Sequence, residues 1–96
     1  MIEIRDNIAY EDGKPIVLHI IEIEPCEGYQ LLATFQDGTA KLYDVTHLLD
    51  KPVFKVLKQP EIFRRVVLDR GVPTWEKENI DISPESIYAN GVTVAL

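Results

Sequence analysis

The chain has 96 residues, a formal net charge of −6, 46% hydrophobic and 27% charged residues, which suits one domain burying roughly 60–65% of its unfolded surface and leaves no room for a second. That balance is ordinary for globular proteins and sets disordered and membrane classes aside. The charge opposes the sequence-independent phosphate attraction on which bulk nucleic-acid binding depends.

Taken in chain order, Ile2, Ile4 and Ile8 sit among charges, and Glu11-Asp12-Gly13-Lys14-Pro15 reads as a turn after a short strand or hairpin. Ile16 to Ile23 is β-branched and bounded by Pro15 and Pro25, which predicts a strand. Apolar residues on both its faces place it centrally in a sheet. This run is about half the ~18 residues that span a bilayer and carries His19 and Glu22, so no membrane helix is expected. The amino-terminal charges come too early and alternate too much for a secretory leader, and a cytoplasmic location is expected.

After a bend at Pro25-Cys26-Glu27-Gly28, Tyr29, Leu31, Ala33 and Phe35 alternate with Gln30, Leu32, Thr34 and Gln36, the period-two pattern of a half-buried strand. Asp37-Gly38 tolerates positive φ and predicts a tight hairpin turn. The returning strand sets Ala40, Leu42 and Asp44 against Lys41, Tyr43 and Val45. Val53, Phe54, Val56 and Leu57 then take helical spacing with Asp50 as a cap. Gln59-Pro60 ends that helix and starts a second one at Pro60-Glu61-Ile62-Phe63, so that Phe54, Leu57, Ile62 and Phe63 pin both onto the sheet. Val66 to Asp69 and Val72 to Trp75 form a second hairpin around Asp69-Arg70-Gly71. Ser83-Pro84-Glu85 supplies a capping hydroxyl, a first-turn proline and an acid for a last short helix, which Asn90-Gly91 stops. The tail, Val92 to Leu96, is strand-like and open to pairing within the chain, pairing across to a second copy, or fraying. The fold class expected is α+β: a small antiparallel sheet of hairpins with two or three short helices on one face, in a single domain over residues 1–96.

The order Phe35-x-Asp37-Gly38, Asp44, Leu48-Leu49, Phe54-x-x-Leu57, Phe63, Trp75 and Asp81-Ile82-x-Pro84-x-x-Ile87-Tyr88 resembles the bacterial family called domain of unknown function 2442, over about Ile16 to Tyr88. One local departure is Glu76-Lys77-Glu78-Asn79, where that family often has Asn-Gly after the tryptophan. The resemblance implies a compact α+β domain and no established activity. It also implies company: such proteins are often encoded beside another small protein, domain of unknown function 4160, in arrangements like toxin and antitoxin pairs.

Chemistry is sparse. Cys26 is the only cysteine, which excludes an internal disulfide or a single-chain thiolate zinc cluster. Cys26 with His19 or His47 and Asp44 is the nearest approach to a nucleophile and base, but Glu27 beside the thiol opposes thiolate formation, and an inert bend residue is the simpler reading. Asp37, Asp44 and His47 offer metal-type donors without a ligand spacing, and turn chemistry already explains both acids. His19 in an Ile-rich strand reads as a neutral, hydrogen-bonded imidazole. The five glycines are isolated, so no phosphate loop is expected.

Lys51, Lys55, Lys58, Arg64, Arg65 and Arg70 against Glu61 and Asp69 give residues 51–70 a charge of +4 and leave −10 elsewhere. With Trp75, Tyr29, Tyr43 and Tyr88, Arg64 and Arg65 could form a stacking platform for single-stranded nucleic acid, although core packing explains the aromatics more simply. The leading expectation is a non-enzymatic protein-interaction module without cofactor or metal, the antitoxin-like member of a two-gene pair. A nucleic-acid-associated regulator using residues 51–70 is the alternative. A partner from an adjacent gene and a homodimer are both compatible with a small acidic domain having exposed sheet edges.

Overall fold

The computed structural model describes residues 2–95. Within them, positive-φ turn residues close short strands onto their immediate neighbours. Strands β1 (Ile2–Arg5), β2 (Ile8–Glu11) and β3 (Lys14–Ile16) form an antiparallel meander. Its two-residue turns are Asp6-Asn7 and Asp12-Gly13, with all four φ values positive, as required where turn twist must match strand twist. A second sheet has the order β10-β6-β5-β4 and comprises β4 (Ile20–Cys26), β5 (Gln30–Phe35), β6 (Ala40–Asp44) and β10 (Val92–Val94). The third contains β7 (Val67–Asp69), β8 (Val72–Trp75) and β9 (Ile80–Asp81).

The helical segments are α1 (Pro60–Phe63), α2 (Pro84–Asn90) and 3₁₀ turns at Thr46–Leu48 and Lys55–Lys58. The mixed fold is therefore dominated by three small antiparallel sheets rather than by one sheet carrying helices on a face. Short turns pair most strands with the next strand in sequence, and only β10 reaches back across the chain, to β6, so no long sheet accumulates. No helix among the described residues is long and apolar enough to cross a membrane.

Leu31, Ala33 and Phe35 of β5 are fully buried, with Tyr43 and Val45 from the return strand behind them. Leu57, Phe63, Trp75 and Ile87 close the core from the other segments. Phe54 and Ile62 pack partly buried against it, while Val53, which the helical spacing sets on the same apolar face, is 65% exposed. The Trp75 indole donates from Nε1 to the Phe63 carbonyl at 2.9 Å, and its ring lies 5.9 Å from that of Phe63. The α2 cap forms as read: Ser83 Oγ accepts from the Ser86 amide at 3.1 Å. The hairpin at residues 35–39 also forms, although only Gly38 uses positive φ (+85°). Asp37 instead accepts from the Thr39 amide at 2.9 Å.

Three expectations need correction. The strand predicted from Ile16 to Ile23 is divided, because Ile16 pairs with Ala9 and β4 begins at Ile20 and runs on through Pro25 to Cys26. Between them the Gln36 side chain donates to the Val17 carbonyl (3.0 Å) and accepts from the His19 amide (2.6 Å), substituting for a strand neighbour. β4 is also an edge rather than a central strand, where Pro25 leaves no ladder hydrogen bond missing. Finally, the helix expected over 53–57 is a single 3₁₀ turn uncapped by Asp50, whose carboxylate lies 3.6 Å from Lys58 Nζ. Pro60 holds Gln59 extended (ψ 112°) and stops the turn.

The tail is resolved by β10 pairing with β6 inside the chain, Val92 opposite Leu42 and Val94 opposite Ala40; Leu96 lies outside the described residues. Strand β9 was not anticipated. It follows from Asn79 taking positive φ (56°), which closes the turn over residues 76–79 and lays Ile80 and Asp81 back along β8.

Removing the Gln36 clasp tests this account of residues 17–19. Gln36→Ala is expected to cost about 1–2 kcal/mol, the scale of two partly solvated hydrogen bonds, read as a lower urea midpoint at unchanged slope.

Candidate functional site

Gly28 and Tyr29 both take positive φ (76° and 59°) to turn β4 into β5. That turn sets the Tyr29 ring edge-on to Phe63 at 5.4 Å and lets its hydroxyl donate to the Lys58 carbonyl. Beside it lies a cleft of about 360 Å³ lined by Pro25, Cys26, Tyr29, Phe63 and Arg64. The half-buried Cys26 thiol there contacts the Glu24 carbonyl at 3.7 Å. Asp44 sits in the same row as Cys26 but two strands away, through Gln30, which is about 10 Å and beyond hydrogen-bond reach. The His47 ring is 3.3 Å from the Tyr43 hydroxyl, and the backbone of His19 is held by Gln36. The Cys, His and Asp of the sequence pattern are not brought together.

Asp44 is held by its own loop, and Asp37 by its own loop and by Tyr88 of α2. Asp37 is pushed up by partial burial, but donors from the Thr39 amide, Thr39 hydroxyl and Tyr88 hydroxyl outweigh that and keep its carboxyl below the usual range. Asp44 is also held low, first by the Thr46 hydroxyl at 2.7 Å and amide at 2.8 Å. Burial raises the Tyr88 and Tyr43 hydroxyls, with Asp37 and Asp44 respectively adding to the rise. Among the described residues no group of three or more His, Cys, Asp or Glu is placed to hold a metal ion.

A carboxyl whose folded-state pKa is depressed adds stability above its unfolded pKa of about 3.9 and loses it as pH falls through the lower folded value. Stability is therefore expected to fall between about pH 5 and pH 2. Asp37→Asn should flatten part of that slope in urea titrations across the window; an unchanged slope would show that Asp37 is not responsible.

Lys51, Lys55, Lys58, Arg64, Arg65 and Arg70 are all exposed along the segment that contains α1 and the second 3₁₀ turn. Lys58 pairs with Asp50, and Arg65 lies 4.0 Å from Glu78. Of the four aromatics, Tyr29 lines the same cleft as Arg64, and the other three do not join a platform. Trp75 and Tyr43 are buried, and Tyr88 packs edge-on against Phe35 at 5.0 Å with its hydroxyl on Asp37.

The feature that residue types alone did not reveal is the outer face of the four-stranded sheet. Leu31, Ala33 and Phe35 point into the core, so Leu32 and Thr34 point out. Register then lines up Val92, Leu42, Leu32 and Glu24 in one row and Val94, Ala40, Thr34 and Glu22 in the next. Val92 is 67% exposed, and Leu32, Leu42 and Val94 are half-buried. The signal in the sequence was Leu32 and Leu42 at positions where alternation puts polar residues, but only the register joins them.

Fold and surface define a small sheet-rich mixed domain with apolar side chains on both faces of its largest sheet. The family model described as Protein of unknown function (DUF2442) matches residues 20–93, and the chain belongs to that family. No curated protein and no solved structure matches it.

Proposed function

We propose that this protein is a non-enzymatic protein-interaction module, working as the antitoxin-like member of a two-gene pair and binding the small protein encoded beside it. The observation that carries this reading is the apolar outer side of the four-stranded sheet. An antiparallel sheet with one solvated face ordinarily alternates apolar-in and polar-out, whereas β5, β6 and β10 set Leu32, Leu42, Val92 and Val94 outward. The −6 charge adds attraction and faster association for a basic partner. Co-expression with the adjacent gene product should yield a stoichiometric complex. Two folded, soluble proteins that separate on purification would contradict it.

A second reading, a nucleic-acid-associated regulator, draws on the six exposed cations of residues 51–70. It requires salt-dependent binding of labelled RNA or DNA that weakens in Arg64→Ala/Arg65→Ala. Flat titrations at low salt would end it.

A further inference from the structure

We infer that the outer face of the four-stranded sheet is the docking surface for an amphipathic helix of a partner protein, apolar along its buried stripe and flanked by lysine or arginine. This rests on the interaction reading and adds a site and a partner chemistry to it. The charged residues that the four strands place on this side are Glu22, Glu24 and Asp44, three acids and no cation. Lys41, the one cation on these strands, projects to the opposite side, 4.9 Å from the Tyr88 ring and 2.7 Å from Thr93 Oγ1.

The apolar strip does not end at the sheet. Ile21, 53% exposed, and Val67, 41% exposed, continue it into a groove of about 590 Å³ shared by β4, β5 and β7, with Glu22 and Glu24 in its wall. The surface thus has an apolar floor and an acidic rim on the β4 side, which a helix with a basic flank complements in both respects.

Size and edge chemistry select a helix over a strand. Three inter-strand spacings make the face about 14 Å wide, room for a helix about 10 Å in diameter, and covering a sheet face with a helix is the ordinary two-layer solution. Strand addition at β4 is opposed by the bulge between Ile20 and Glu22, by the exposed acids and by Pro25. A second copy is opposed as well, since stacking this face on itself sets acid-bearing surfaces together with no cation on either.

The test uses two synthetic amphipathic peptides of about 18 residues, roughly 27 Å as helices, with the same leucine stripe and either lysine or glutamate flanks. Each is titrated into methyl-labelled full-length protein and followed by NMR. The lysine peptide is expected to shift the Leu32, Leu42, Val92 and Val94 methyls and to bind at least about tenfold more tightly than its glutamate twin. Glu22→Lys/Glu24→Lys, which alters only exposed side chains, is expected to weaken it by about tenfold or more. Equal affinity for the twins, shifts confined to other surfaces, no shifts at about 1 mM peptide, or burial of the same methyls by self-association would overturn the assignment. Were the adjacent gene product to co-purify equally with the wild type, Glu22→Lys/Glu24→Lys and Leu42→Ser, the site would fall and the interaction reading would stand. Failure of that protein to bind the wild type would remove the reading, while the peptides would still decide the face.

Discussion

Gly71→Ala is expected to destabilise the protein by about 2–5 kcal/mol, combining about 1–2 for a left-handed non-glycine residue with about 1–3 for overpacking. Gly71 has φ +82°, and an added Cβ would lie 2.2 Å from His19 Cβ and 3.0 Å from His19 Cα. The neighbour is backbone and a side-chain root, which cannot swing away. Gly71 also presents its carbonyl to the Ile20 amide at 2.9 Å, so the same displacement strains the join between the third sheet and β4. Gly38→Ala is the control: its φ is +85°, with nothing within 4 Å of the new atom, and a cost of only about 1–2 kcal/mol is expected. Equal losses in the two variants, measured by urea unfolding, would show that the close approach to His19 carries no energy.

Trp75→Ala is the other large effect, expected at about 4 kcal/mol. Truncating a buried tryptophan typically costs about 3–5 kcal/mol, and here the Phe63 carbonyl also loses its indole donor. Trp75 is fully buried and in contact with the α1 segment through Phe63. Total stabilities of about 5–15 kcal/mol leave little margin after such a loss, so circular dichroism is expected to show a strongly lowered thermal midpoint. Trp75→Phe should recover much of it by refilling the volume, leaving mainly the hydrogen-bond deficit. A loss below about 1 kcal/mol in Trp75→Ala would contradict the placement of Trp75 at the centre of the core.

The local features were legible because they rest on local chemistry. Phe35 to Ala40 turns where Asp37-Gly38 says it does, the 67–75 hairpin forms around Arg70-Gly71, and Ser83-Pro84 starts α2. Apart from the helix expected over 53–57, which ends as a 3₁₀ turn before Pro60, what failed was long-range. The Ile16 to Ile23 run has the composition of a central strand, yet Gln36, seventeen residues beyond His19, divides it by hydrogen bonding its backbone. Apolar residues on both sides of that run do not mean burial on both sides: Ile20 is in the core and Ile21 is 53% exposed. The candidate surface was illegible for the same reason. Leu32, Leu42 and Val92 are separated by ten and fifty positions in sequence, and only β10 folding back onto β6 makes them one row. The Cys26, His47 and Asp44 set, conversely, shared residue types without sharing a place.

The interaction reading is tested most directly by sedimentation velocity of this protein mixed with the product of its adjacent gene, both soluble and folded. It predicts a single faster boundary with the summed mass of a stoichiometric complex. Two boundaries at the separate masses, unchanged at high concentration and low salt, would contradict it.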